Sequence, residues 1–278
     1  MTSPRELLAA ATARLGAAGV ASPRVDAELL LAHTLGIERS RLVLAGMVAP
    51  AAAADYQHLV QRRAAREPLQ HLTGHAPFRH VDLAVGRGVF VPRQETELLV
   101  DAVLDALRGL TSPVVVDLCS GSGALAVALA DELPAARVVA VERPGPALEW
   151  LYRNTRQTAV EVVEADVADP NLLIAMRATV DALVSNPPYV PGGVEVEPEV
   201  WADPDIAVFA GVDGLALMPA VIARAAELLR PGGVTAIEHD DSHERAVPAL
   251  LVADGRWREI VDHHDLTGRP RYVTATRA

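Results

Sequence analysis

The stretch VVVDLCSGSGALAVALA, residues 114–130, decides the fold. It opens as a run of β-branched residues, passes through a turn of small residues and continues as a helix start. Gly121 and Gly123 let the backbone approach a ligand closely, and the helix that follows offers N–H groups with no partner in the helix itself. Glu142 ends the next apolar run about twenty residues on, where a carboxylate can accept both hydroxyls of a ribose. Together these features predict a nucleoside-binding turn in a parallel α/β sheet. They leave the nucleoside open, because Gly121-Ser122-Gly123-Ala124-Leu125-Ala126 also satisfies the dinucleotide pattern.

Outward from this stretch the chain alternates between strand-like and helix-like segments, the pattern of a parallel sheet covered on both faces. Strands are expected at Val114 to Leu118, Arg137 to Glu142, Val160 to Glu164, Ala182 to Ser185 and Val234 to Glu238. Helices are expected to begin near Gly123, Pro146, Asn171 and Gly214. A last pair, Trp257 to Asp262 and Arg271 to Thr276, is joined by the turn residues Thr267-Gly268 and reads as antiparallel.

The first 75 residues carry no strand signal. Pro4 to Leu15 reads as a helix. A second begins at Ser22-Pro23, a capping residue followed by a first-turn proline, and a third covers Ala51 to Ala65. From Phe78 to Pro92, alternation in HVDLAV, the turn residues Gly86-Arg87-Gly88 and the run VFV suggest a β-hairpin. Glu95 to Leu107 is again helical, with acidic residues at its positive end. The organisation expected is a helical domain at 1–75, a hairpin linker at 76–94 and a ligand-binding domain at 95–278.

Composition removes several classes of function. No run approaches the roughly 18 apolar residues of a membrane span, and the N-terminus lacks the apolar core of a secretory signal. A cytoplasmic protein without membrane attachment is expected, and a monomer. Cys119 is the single cysteine and the nine histidines are scattered, so neither a disulfide nor a metal site is expected. The net charge is −11, carried without a single lysine. An acidic chain with no long arginine run is poorly suited to neutralising a phosphate backbone, which weighs against nucleic-acid partners.

Chemistry is specified by Asn186-Pro187-Pro188-Tyr189, directly after the strand ALVS. Two consecutive prolines donate no N–H and have restricted φ, so the carbonyls of Asn186 and Pro187 are held in direction. A planar amide or aromatic amine presents two protons on a nitrogen whose lone pair is delocalised. Accepting one proton at the Asn186 side-chain oxygen and one at the Pro187 carbonyl orients that nitrogen and favours its pyramidalisation. Tyr189 can stack on the flat target. Such a clamp beside a nucleoside turn points to methyl transfer onto a planar NH2 group, in which positioning and fixed dipoles do most of the work. Hydride transfer gives no reason for this tetrapeptide.

This tetrapeptide, with VFVPRQETELLVDAVL, VVVDLCSGSG, LRPGGVTAIEH and the earlier RVDAELLLAHTLG and REPLQHLTG, resembles the HemK family of protein-glutamine methyltransferases over nearly the whole chain. The resemblance implies a class I methyltransferase, Rossmann-like fold: a mostly parallel seven-stranded sheet preceded by a small helical N-terminal domain and a β-hairpin linker. It implies S-adenosylmethionine as cofactor, with S-adenosylhomocysteine as its product. The substrate it implies is the glutamine of the Gly-Gly-Gln motif in class I peptide-chain release factors. By the same resemblance, cofactor contacts fall on Asp117, Cys119, Ser120, Gly121, Ser122, Gly123, Glu142, Asp166, Val167 and Asn186. The amide clamp falls on Asn186, Pro187, Pro188 and Tyr189. Another protein glutamine, as on a ribosomal protein, and the amino groups of adenine or cytosine are the alternative targets.

Three positions depart from the family pattern: Cys119 where glycine is frequent, Gln94 where proline is common, and Pro144-Gly145-Pro146 at a helix start. The segment from Val190 to Asp213, rich in Pro, Gly, Glu and Asp, exceeds an ordinary connection. It is expected to form part of the wall on which a substrate protein docks.

Overall fold

The computed structural model describes residues 1–278 and divides the chain into two compact units. The first comprises Met1–His75 together with Val196–Ala202, and the second comprises Ala76–Glu195 and Asp203–Ala278.

The first unit is helical. Helices α1 (Pro4–Ala17), α2 (Pro23–Leu35), α3 (Pro50–Ala64) and the short α4 (Leu69–Thr73) enclose Leu15, Leu30, Leu31 and Tyr56. Ser3 and Glu6 form a reciprocal capping box at the start of α1, satisfying two otherwise unpaired N–H groups. Ser22 precedes α2 but makes no side-chain cap, so Pro23 alone marks that start. The hydroxyl of buried Tyr56 donates to the carbonyl of Ala27. Segment 196–202 is anchored here by Glu199, which accepts from Arg66 at 2.6 and 2.8 Å and from Arg63 at 2.8 Å. Arg63 is itself buried and paired with Asp26 at 2.7 Å.

The second unit begins with a hairpin, but not the one expected. Strands β1 (His75–Phe78) and β2 (Val81–Ala84) turn at Arg79-His80, and the run Val89–Val91 is not a strand. Arg79 holds the turn in the left-handed region, and its guanidinium pairs with Glu132 and Asp101. Gly86 and Gly88 instead serve close packing. A Cβ on Gly86 would lie 2.7 Å from the Trp150 ring, and one on Gly88 2.7 Å from Pro146.

A 3-10 turn at Gln94–Thr96 leads into α5 (Glu97–Ala106). The alternating segment follows: β3 (Val114–Leu118), α6 (Ala124–Glu132), β4 (Arg137–Glu142), α7 (Pro146–Thr155), β5 (Glu161–Glu164) and β6 (Val180–Ser185). Beyond it come α8 (Asp205–Val208), α9 (Met218–Leu228), β7 (Leu229–Glu238), α10 (Ala246–Asp254), β8 (Trp257–His264) and β9 (Pro270–Arg277). The seven strands β3–β9 form one sheet in the order β5-β4-β3-β6-β7-β9-β8, parallel except for the pairings of β9.

Two expected helix starts are corrected. No α-helix begins near Asn171; Leu173 and Ala178 adopt left-handed backbone, which limits the segment to a 3-10 turn at Ile174–Met176. Near Gly214 the chain is still a loop, and α9 begins at Met218. Helices α4 and α10 were not legible: α4 is a single short turn, and α10 is apolar around most of its circumference.

Each face of the sheet has its own core. Leu99, Val103, Leu125, Leu129 and Leu151 from α5, α6 and α7 pack on one side with Phe78 and Leu83 of the hairpin. On the other, Met218, Val221 and Ile222 of α9 meet Val247 and Leu251 of α10. The chain leaves β3 toward β4 on one side, while β6 lies on the other. The carboxyl ends of β3 and β6 therefore flank the switch point where α/β sheets bind ligands.

Candidate active site

Two loops meet at that switch point. Leu118 is in register with Ser185, so the turn after β3 and the tetrapeptide after β6 leave the sheet side by side. The Ser185 hydroxyl donates to the Leu118 carbonyl at 2.7 Å and joins the strand ends directly.

The turn Cys119–Gly123 is shaped by backbone. Cys119, Gly121 and Gly123 all have positive φ, at 62°, 56° and 87°. A side chain at Gly123 would lie 2.7 Å from a methyl of Leu151, whereas the same position at Gly121 is open for at least 4 Å. Gly123 is therefore required for helix packing, and Gly121 leaves room above the turn. The Ser120 amide donates to the Val141 carbonyl, and its hydroxyl donates to the Asp117 carbonyl at 3.0 Å. Asn154 of α7 had no signal in the sequence. Its amide group donates to the carbonyls of Ser122 and Ala84 and its oxygen accepts from Ala84 N, tying the turn to the hairpin.

Three carboxylates surround this turn. Glu142 Oε2 accepts from the Gly121 amide at 2.8 Å, and burial raises its pKa against the lowering effect of that bond. Asp117, at the end of β3, is fully buried and neither of its oxygens has a partner of good hydrogen-bond geometry. Nearby Ser120 and Ala126 offset the cost only in part, and burial pushes its carboxyl up to about 8. Asp166 is exposed beyond β5, accepting from Ala168 N, while the adjacent Val167 is buried. Burial and the Glu142 and Asp117 charges also push the Cys119 thiol up, so this cysteine is not a poised nucleophile.

The acceptor side is shaped by side chains. Pro187 is buried and Asn186 half-buried. The Asn186 amide nitrogen donates to the Thr96 hydroxyl at 3.1 Å, which leaves its oxygen available. Tyr189 donates its hydroxyl to Glu238 Oε1 at 2.8 Å, so the phenol is a bridge into the sheet as well as a flat surface. Glu238 is completely buried at the end of β7, and burial pushes its carboxyl up to about 7. In the segment that follows the clamp, the Asp203 carboxylate accepts from Val91 N at 3.1 Å and from Arg93 at 2.8 Å, and burial raises it to about 6. Arg93 also lies over the Phe90 ring at 5.0 Å.

The structure thus brings together Asp117, Cys119–Gly123, Glu142 and Asn186–Tyr189 at neighbouring strand ends, with Asp166 and Val167 following β5 at the sheet edge. Sequence reading missed Thr96, Asn154, Asp203 and Glu238. Among these only Thr96 and Glu238 lie in segments that carried the family resemblance.

The segment after the clamp is ordered. Val190 and Phe209 form a bridge, Gly192 N donates to the Gly211 carbonyl, and short helical turns occupy Pro198–Ala202 and α8. Gly214 has positive φ, and a Cβ there would collide with the Tyr189 carbonyl, so the loop closes directly over the tetrapeptide backbone.

Of the three departures, Gln94 is exposed, Pro146 occupies the first turn of α7, and Cys119 takes the left-handed conformation that glycine adopts without strain.

Strand order, switch point and a nucleoside-type turn define a class I methyltransferase fold. Residues 6–74 match the PrmC N-terminal domain, and residues 80–203 match the methyltransferase small domain. A release factor glutamine methyltransferase of Mycolicibacterium smegmatis is 51% identical over 279 residues, covering 100% of this chain and 99% of its own length. One from Streptomyces coelicolor is 46% identical over 280 residues, covering 98% and 97%. Among solved structures, the 16S rRNA N2 G1207 methyltransferase of T. thermophilus shares the fold with a TM-score of 0.51 and 23% identity, covering 73% of this chain and 50% of its own. The chain belongs to the release factor glutamine methyltransferase family. No helix is long and apolar enough to cross a membrane.

Proposed function

We propose that this protein transfers a methyl group from S-adenosylmethionine to the side-chain amide nitrogen of the glutamine in the Gly-Gly-Gln motif of class I release factors. The observation that carries this reading is the placement of Asn186-Pro187-Pro188-Tyr189 beside the Cys119–Gly123 turn, set by the Leu118–Ser185 register. Whole-length similarity to release factor glutamine methyltransferases supports the choice of substrate.

The residues around the turn fit the cofactor. Gly121 leaves open space, Glu142 Oε1 is available to ribose hydroxyls, and the unpartnered Asp117 carboxylate below the turn suits a cationic amino acid group. Asp166 and Val167 supply an acceptor and an apolar contact for adenine. When bound, S-adenosylmethionine supplies the electrophilic methyl group.

On the acceptor side, Asn186 Oδ1 and the Pro187 carbonyl each accept one proton of the glutamine NH2. This turns the lone pair out of the amide plane and toward the cofactor side of the site. Tyr189 offers its ring to the flat amide while its hydroxyl stays anchored on Glu238. A strong base is unnecessary, because an alkylated amide nitrogen is highly acidic and loses its proton to water.

One glutamine side chain offers too little surface to select a protein, so docking outside the pocket supplies specificity. Val43, Leu44 and Met47 on the helical unit, and Val194, Ile206 and Val212 on the second, are exposed apolar positions that can serve it. The cytoplasm, where release factors work, is the expected location.

The test is methyl transfer from labelled cofactor to a purified release factor, to the same factor with its Gly-Gly-Gln glutamine changed to Ala, and to DNA and RNA. Labelling of the first alone is expected. Labelling of the Ala variant, or efficient labelling of nucleic acid, overturns the reading.

A further inference from the structure

Asn186 can serve the proposed reaction only in one of its two amide orientations. With Oδ1 toward the target it accepts a proton from the glutamine NH2. With Nδ2 there, two donors face each other and the target is repelled. Rotation by half a turn interchanges these states with almost no change in shape, so something outside Asn186 must select between them.

The selecting partner in contact is Thr96, whose hydroxyl receives Asn186 Nδ2 at 3.1 Å. A hydroxyl does not impose an orientation by itself, since it can accept from Nδ2 or donate to Oδ1. Its choice depends on where its own proton goes. Thr96 is only 3% exposed, and Glu238, the carboxylate whose charged form the Thr96 hydroxyl stabilises, is 0% exposed. The Thr96 and Tyr189 hydroxyls both stabilise the charged form of this carboxylate, Tyr189 through a 2.8 Å bond to Oε1, while the buried Glu238 Oε2 has no partner of good hydrogen-bond geometry and is free to accept. An ionised carboxylate is an acceptor only. It therefore draws the Thr96 proton toward itself, leaves the Thr96 lone pairs for Asn186 Nδ2, and turns Oδ1 toward the substrate.

Resting on the function proposed above, we infer that Glu238 is a positioning residue that selects the productive orientation of Asn186 through the Thr96 hydroxyl, and holds Tyr189 with the same carboxylate. Neither Glu238 nor Thr96 need touch substrate or cofactor. The chain of polarity runs from the end of β7 through the 3-10 turn before α5 to the loop after β6, three segments that only the fold brings together.

A neutral Glu238 carries a proton of its own and can donate it to Thr96, which frees the Thr96 proton for Asn186 Oδ1 and removes the bias. The groups facing Glu238 are Glu95 from the same 3-10 turn, Arg271 from β9 and the Tyr189 phenol. Glu95 favours the neutral form and Arg271 the charged one, and burial dominates both. The productive orientation is therefore held above the Glu238 pKa and lost as pH falls through about 7.

The experiment measures kcat, release-factor KM and S-adenosylmethionine affinity from pH 6 to 9 for the wild type, Glu238→Gln, Thr96→Val and Thr96→Ser. Gln preserves shape but adds donors, Val removes the relaying hydroxyl, and Ser restores it. At pH 8 we expect kcat to fall about tenfold or more in the Gln and Val variants, with cofactor affinity and KM within about threefold, and near-normal turnover for Ser. The fall in wild-type kcat below pH 7 should be absent from Glu238→Gln. Wild-type kcat in Thr96→Val, or a Glu238→Gln variant slowed equally at every pH with the wild-type inflection retained, overturns the inference. Should Glu238→Gln fail to fold by circular dichroism, the Val and Ser pair decides alone: equal turnover in the two overturns it. If the wild type does not label the release factor at all, the proposed function fails instead, which separates the two outcomes.

Discussion

The Cys119–Gly123 turn and the Asn186–Tyr189 clamp leave adjacent strands at the same level of the sheet, yet they are built in different ways. The turn is a backbone device. Its form follows from three residues with positive φ, from amide-to-carbonyl bonds and from the Gly121 amide held by Glu142. The clamp is a side-chain device. Its geometry depends on Thr96 and Glu238, which are 90 and 49 residues from the groups they hold. A backbone site binds whatever fits its shape, while a side-chain site can place charge where a transition state develops it. On this view the turn governs affinity for the cofactor and the clamp governs rate.

The largest expected effect breaks the two apart. Asn186→Ala should lower kcat by roughly 100-fold or more, the scale of one preorganised transition-state contact. Cofactor affinity, measured by titration calorimetry, should fall far less than turnover. Near-normal turnover would show that the clamp does not act on the target nitrogen.

Glu142→Ala should do the converse. The ribose hydroxyls lose a charge-assisted partner and the Gly121 amide loses its acceptor, a loss on the order of 1.5–3 kcal/mol in cofactor binding. An unchanged affinity would mean that the nucleoside lies elsewhere.

These two outcomes bear on how much could be read from sequence. The turn was legible because glycine spacing, an apolar strand and a strand-end carboxylate are local patterns, and β3 and β4 were placed to the residue. The placement of Asn186 and the two prolines directly after β6 was legible for the same reason. Their supports were not, since nothing in QET or AIEH signals that Thr96 and Glu238 converge on one side chain. The hairpin was misplaced because Gly86 and Gly88 look like turn residues. They are small for another reason: Trp150 and Pro146 pack against them. Arg79 turns the chain instead, held left-handed by a salt-bridge pair that only the fold assembles. Segment 196–202 likewise reads as loop, and its membership of the helical unit rests on Glu199 meeting Arg63 and Arg66.

Smaller effects sharpen the claim that the turn is a backbone device. Gly123→Ala should destabilise the protein by about 1–3 kcal/mol in urea denaturation, through its left-handed φ and the contact with Leu151. Stability equal to wild type would show that Leu151 and the α6 start relax freely. Cys119→Gly should change stability by less than about 1 kcal/mol, because relief of left-handed strain offsets lost thiol contacts. A loss above about 2 kcal/mol would show that the thiol itself is needed for packing.

The central claim is that the clamp presents a protein amide nitrogen for methylation. Its most direct test is peptide mass spectrometry of an intact release factor after incubation with the wild-type protein and S-adenosylmethionine. A single added methyl group on the side-chain amide nitrogen of the Gly-Gly-Gln glutamine is the predicted result. A methyl group on a backbone nitrogen, a carboxylate or any other residue would contradict it.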